Sequence, residues 1–176
     1  MNILHISGSP RLHGNTTYLL HELQSLVGGE IIHLADHQIS PCTGCWACVK
    51  SGQCNIADEM TISISPRLLD ADVIVLASPV FFNNVTAQMK LFIDRTWPLR
   101  GQLNNKTGGA IVVGRRYGSE SAITAINAFF LKHEMIPANR GISGIAYEAQ
   151  SIKKDAEALA AVKKLAVRLE ELSTHF

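Results

Sequence analysis

Cys42, Cys45, Cys48 and Cys54 are the only cysteines of the chain, and all four fall in the stretch "PCTGCWACVKSGQC", spaced C-x2-C-x2-C-x5-C. Two-residue gaps let successive thiolates curl around one small site, and soft sulfur ligands select iron-sulfur clusters or zinc. Structural zinc more often uses two C-x2-C pairs separated by a longer loop. A thiol cluster of this kind can also respond to oxidation. Three chemistries therefore stay open for these residues: an iron-sulfur cluster, a zinc site, and a thiol redox sensor.

A second group of chemistry-bearing residues follows the first apolar run, in "SGSPRLHGNTT" from Ser7 to Thr17. It offers two glycines, an arginine, several hydroxyls and the start of a helix whose free amides and dipole favour an anion, so a phosphate suits it. It is not a P-loop, because five residues separate Gly8 from Gly14 and Asn15 stands where the lysine belongs. Nor is it a dinucleotide fingerprint, since Pro10 occupies the second glycine position. Two further loops carry candidates: "SPVFFNNVTAQMKLFIDR", which sets Pro79, Phe81 and Phe82 at a strand end, and "VVGRRYGSES", which places Arg115 and Arg116 between Gly114 and Gly118.

These loops need a scaffold, and the apolar pattern supplies one. "NILHI", "EIIHLA", "DVIVLAS", "GGAIVVG" and "GISGIAY" are short apolar runs bounded by turn residues, as expected of strands buried on both faces. Between them "NTTYLLHELQSLV", "VTAQMKLFIDRTW", "SESAITAINAFFLKH" and "IKKDAEALAAVKKLAVRLEEL" read as helices. Alternation of this kind implies an α/β fold, a parallel sheet with helices on both faces, whose ligand sites lie beyond the carboxyl ends of the strands. In "DEMTISISPRLLDAD" the pattern predicts a broken helix, with Ser65 as N-cap and Pro66 at the first position of a second piece. His5 reads as a satisfied core residue, and His133 as a favourable positive charge at a helix end.

Composition narrows the function classes. The chain has 176 residues, 47% hydrophobic, which suits one domain spanning 1–176 with a cysteine-rich insertion at about 41–58. A net charge of +1, from 16 basic and 15 acidic residues without a basic stripe, argues against nucleic acid as a partner. The longest mainly apolar stretch is about half the roughly 20 residues a spanning helix needs, which argues against a membrane and for a reducing cytoplasm. There, clustered cysteines point to metal or redox chemistry rather than to disulfides.

Taken in order, "GSPRLHGNTT", "PCTGCWAC", "SPVFFNNVTAQMKLFIDR", "GGAIVVG" and "AINAFFLKHEM" resemble the NADPH-dependent FMN reductase family, and most of all its iron-sulfur flavoprotein branch. The resemblance implies a flavodoxin-like, doubly wound five-stranded parallel sheet in order 2-1-3-4-5 with FMN at the carboxyl edge. Carried over by position, Ser9, Arg11, Asn15, Thr16 and Thr17 would hold the FMN phosphate. Pro79, Val80, Phe81, Phe82 and Asn83 would line the ribityl chain and ring, and the backbone around Gly114 and Arg115 would face the ring. Where the family often has a glycine-rich run, this chain has Arg115, Arg116 and Tyr117. Cys42, Cys45, Cys48 and Cys54 would ligate a four-iron four-sulfur cluster, with zinc the alternative. The implied activity is an oxidoreductase that takes electrons from NAD(P)H or a protein donor such as ferredoxin and passes them to flavin, a quinone or another small oxidant. An electron carrier between protein partners is the alternative. Family members pair subunits, so a homodimer or homotetramer is expected. No catalytic acid or base is assigned, because the reactive atoms belong to the cofactor.

Overall fold

The computed structural model describes residues 1–173. Its sheet is parallel throughout, in the order β2-β1-β3-β4 with β5 and β6 sharing the far edge of β4. The strands are β1 (Ile3–Ser7), β2 (Glu30–His33), β3 (Val73–Pro79), β4 (Thr107–Gly114), β5 (Ile136–Pro137) and β6 (Ile142–Ile145). The helices are α1 (Asn15–Val27), α2 (Ala47–Ser51), α3 (Ser65–Asp70), α4 (Ala87–Arg95), α5 (Ser119–Lys132) and α6 (Ala156–Ser173).

Burial on both faces explains why the strands read as unbroken apolar runs. Along β3, Ile74 and Leu76 join a core shared with α3, α4 and α5, whereas Val73, Val75 and Ala77 join a second core shared with α1 and α6. Successive side chains point to opposite faces. Both faces being apolar, no polar alternation is left to see. The expected order 2-1-3-4-5 is present, with one difference. The fifth position is divided: Thr107 and Gly108 pair with β5, and Ile111 to Gly114 pair with β6. Pro137 and the turn at Gly141 (φ +117°) interrupt what would otherwise be one strand.

The helix after the cysteines is not broken at Ser65. A π-helical turn, Met60–Ile64, runs directly into α3, and Ser65 itself is helical (φ −58°, ψ −43°) with its N–H donating to the Met60 carbonyl. In a regular helix Pro66 would crowd the carbonyl four residues back. The wider turn relieves that clash, so the chain bends without ending. Met60, Ile64 and Leu68 thereby stay on one buried face.

His133 also departs from expectation, because it is uncharged. The Thr96 hydroxyl donates to the Ile93 carbonyl and its oxygen accepts from His133 Nε2 at 2.9 Å. Burial, and then the nearby Lys132, push the imidazole down to about 4. The unfolded chain binds a proton near pH 6.5 and the folded chain resists it, so stability is greatest above about pH 6.5 and falls as the pH drops toward 4. We expect urea melts to lose about 2 kcal/mol between pH 7 and pH 5 from this residue, and a His133→Gln variant to show a correspondingly shallower pH dependence.

Candidate functional site

The loops after β1, β3, β4 and β6 meet at the carboxyl edge of the sheet around a cavity of about 370 Å³, a size suited to a small organic ligand. Its floor is the start of α1. Gly14 precedes this helix in extended geometry (φ −82°, ψ 173°) and contributes no side-chain cap. The first amides therefore remain available to a ligand, at the positive end of the helix dipole.

The loop itself is held by internal bonds. Ser9 Oγ accepts from the Arg11 amide (3.2 Å) and donates to the Arg11 carbonyl (3.1 Å), and Thr17 Oγ1 donates to the same carbonyl (3.0 Å). Thr86, which caps α4 by accepting from Met89 N, also donates to the Gly8 carbonyl at 2.7 Å. The loops after β1 and β3 are thus tied to each other before any ligand arrives. The opposite wall depends on Gly114, where a Cβ would lie 3.0 Å from Val80 Cγ2.

Of the sequence-derived candidates, Ser9, Arg11, Asn15, Thr16, Pro79, Val80, Phe81, Gly114 and Arg115 line this cavity. Three do not. Thr17 is turned inward, 1% exposed, and supports Arg11 from behind. Phe82 and Asn83 form the tip of a tight turn closed by reciprocal Phe81–Asn84 backbone bonds, both with positive φ (49° and 61°). That turn points Phe82 into solvent, fully exposed, and presses Asn83 against the backbone at Gly118, itself left-handed at φ +82°. Asn15 lines the cavity but spends its amide elsewhere, donating to the Glu148 carbonyl at 2.8 Å. Sequence reasoning missed the fourth wall, Ala146 to Ala149. The available signal was position, since these residues follow the last strand at the same edge of the sheet.

The cysteine loop leaves that edge after β2 and is clamped at its base by Arg95 at the end of α4. The Arg95 side chain, 1% exposed, meets Asp58 Oδ2 at 2.6 Å and Oδ1 at 2.9 Å, and also donates to the Ser40 carbonyl before the cysteines and the Thr61 hydroxyl after them. Burial opposes ionisation of Asp58, but its hydrogen bonds to Arg95 hold the carboxyl below the usual range. Breaking one partner of such a pair strands the other charge. We expect Arg95→Met to lose about 3–5 kcal/mol in denaturant titrations and to expose the loop to proteolysis, whereas wild-type resistance in that variant would show that the loop is held elsewhere.

All four cysteines line one small cavity of about 30 Å³ beneath Trp46 and Trp97. The thiols are unbridged. Hydrogen bonding to the backbone at Ala47, then to the Thr43 side chain, lowers the Cys45 thiol, and the Arg95 guanidinium reaches Cys54. At Cys45 this favours the thiolate, the ligand form. Among the described residues no three such side chains are arranged around one point as a ligand group. The donor set fits a metal or cluster, and the volume, about that of one water, requires the loop to spread to accept it. Gly44 and Gly52, both at positive φ with open space around Cα, provide that freedom.

Comparison with known proteins agrees with this geometry. The sequence model of the NADPH-dependent FMN reductase family matches residues 1–150. An iron-sulfur flavoprotein of Methanocaldococcus jannaschii is 39% identical, with 98% of this chain and 97% of that protein aligned. An iron-sulfur flavoprotein of Archaeoglobus fulgidus is 32% identical, covering 98% and 96%. Among solved structures, a flavodoxin from the domain Archaea superposes with a TM-score of 0.62 at 14% identity, covering 98% of this chain and 99% of that one, which establishes the flavodoxin-like fold.

Proposed function

The chain belongs to the NADPH-dependent FMN reductase family, and from that premise we propose that it is a flavin-dependent oxidoreductase of the iron-sulfur flavoprotein type, with FMN in the carboxyl-edge cavity and a four-iron four-sulfur cluster in the cysteine loop. One observation carries the flavin half: the uncapped start of α1 opens into a cavity whose other walls come from the loops after β3, β4 and β6. In this reading the α1 amides, Thr16 and Arg11 hold the phosphate, while Pro79, Val80 and Phe81 bed the ring against the Gly114 backbone. Thr17, through Arg11, and Asn83, through Gly118, brace those walls from outside. FMN, when bound, supplies acceptance of a hydride from a nicotinamide and release of single electrons. The chain supplies binding, orientation and a cationic mouth at Arg115, whose guanidinium is tied to the Tyr147 carbonyl.

Mass spectrometry of the heat-released cofactor tests the assignment. FMN is expected, and FAD, or no flavin after saturation, would overturn it. Anaerobic mixing with NADPH separates the enzyme from the alternative carrier: rapid flavin bleaching supports the former, and bleaching only with reduced ferredoxin or dithionite the latter. Assembly as at least a homodimer belongs to the same proposal. No helix among the described residues is long and apolar enough to cross a membrane.

A further inference from the structure

Arg95 is buried beside the cysteines with one donor unspent. A guanidinium carries five N–H groups in a fixed fork, and four of them are committed at the base of the cysteine loop. Nη1 donates to Asp58 Oδ2 and to the Ser40 carbonyl, both at 2.6 Å. Nη2 donates to Asp58 Oδ1 at 2.9 Å and to the Thr61 hydroxyl at 3.2 Å, with the Ile56 carbonyl a longer third acceptor at 3.4 Å. The fifth, Nε–H, is buried and has no hydrogen-bond partner among the described residues. A buried donor left unmade is costly, more so on a charged group, so this one calls for an acceptor. Holding the loop uses the other four, and the fifth is surplus to that task.

The wall that Arg95 belongs to identifies the acceptor. Arg95 lines the same cavity of about 30 Å³ as all four cysteines, and its guanidinium reaches Cys54. The anion in that wall, Asp94, is already engaged by Lys90 at 2.6 Å. Spreading of the loop does not carry Arg95 away from Cys54. Ser40, Ile56, Asp58 and Thr61, which Arg95 holds, all lie outside the segment between the glycine hinges at Gly44 and Gly52. Cys54 falls between Gly52 and the clamped Ile56, so opening at the hinges leaves its sulfur beside the guanidinium.

We propose that Arg95 sets the reduction potential of the cluster by donating its Nε–H to the sulfur of Cys54. This rests on the cluster assignment above. Reduction adds one electron, with no bond made or broken, to a group that four thiolates already leave anionic, and a hydrogen bond to a ligating sulfur favours the added charge. Asp58 works in the opposite direction, because its carboxylate offsets the guanidinium at close range. The pair that fastens the loop thus also balances the charge felt by the cluster.

The holoprotein itself provides the test. In dithionite-reduced protein whose arginine guanidinium groups carry nitrogen-15, pulsed electron paramagnetic resonance of the cluster should show a nitrogen-15 coupling that Arg95→Lys removes. Arg95→Lys keeps the charge opposite Asp58 but loses the fork and Nε. Redox titration of that variant should find the cluster about tenfold harder to reduce, a potential about 59 mV lower for one electron. Asp58→Asn, which removes the offsetting charge, should raise the potential instead. A clamp that only held the loop would admit water when either residue was changed, and water at an anionic cluster favours the reduced state, so both variants would rise together. Circular dichroism shows whether each variant is folded, and should Arg95→Lys fail to fold, the labelled wild type decides alone. A reduced cluster without the nitrogen-15 coupling, or a folded Arg95→Lys whose potential does not fall, overturns the proposal and leaves the cluster assignment standing. Absence of any cluster signal after reduction overturns that assignment, and the proposal with it.

Discussion

Thr16→Glu should release FMN from the protein. Thr16 is the second residue of α1, 2% exposed, and faces the carboxyl-edge cavity. A glutamate there would bring a carboxylate to the position argued for the phosphate, with no water to screen the pair. Two like charges about 4 Å apart repel by about 4 kcal/mol at an effective dielectric near 20, and phosphate carries more than one charge, so affinity should fall at least roughly a thousandfold. Thr16→Val is the counterpart. It removes one neutral hydrogen bond at about 1 kcal/mol, leaves the amides in place and should cost only about fivefold. Flavin fluorescence titration of both variants reads the difference, with circular dichroism to show that each is folded. A Glu variant that keeps its flavin would place the phosphate elsewhere.

Cys48→Ala should empty the cysteine loop of iron while leaving the flavin bound. Cys48 sits in α2, partly buried, and is one of four thiols lining the small cavity below Trp46. If those thiols hold one cubane, anaerobically prepared wild-type protein contains about four irons and four sulfides per chain, with a broad absorption shoulder beside the flavin bands. Removing one of four ligands leaves a loop that must already spread to accept the cluster, so the variant should hold less than one iron per chain. Its flavin content should not change, because the flavin cavity draws on none of the four cysteines. Zinc at one per chain, without iron, after iron-replete anaerobic expression would refute the cluster and leave a structural metal site.

Much of this architecture is legible in the chain because its physics is local. Apolar runs such as "DVIVLAS" locate the strands to within a residue or two, since β3 is buried on both sides and tolerates no polar interruption. Asn15 is correctly read as the start of α1, because Gly14 ends the loop. Clustering of four cysteines is visible without any structure. What escapes is set by contacts distant in sequence. Nothing near Asp58 announces that Arg95, 37 residues later, anchors its loop. Ser65 and Pro66 carry the ordinary signature of a helix start, and only the burial of Met60 and Ile64 on one face shows why the chain prefers a widened turn. Phe81 and Phe82 are chemically identical neighbours, yet the turn geometry sends one to the cavity and the other to solvent. His133 looks like a surface charge until Phe129, 4.7 Å away, and Thr96 are seen to enclose it.

The division of the outermost strand bears on how the molecule behaves when crowded. An exposed sheet edge offers unpaired amides and carbonyls to any other chain, and long straight edges are where β-rich proteins begin to associate into fibres. Here that edge is made of two pieces, Ile136–Pro137 and Ile142–Ile145, separated by a turn. The first carries a proline that cannot donate. The second is four residues long, with its last amide, at Ile145, taken by Asp155 Oδ2 at 2.8 Å. A strand arriving from solvent would find no uninterrupted row of partners on this side, so the interruption protects the folded protein from edge-to-edge polymerisation.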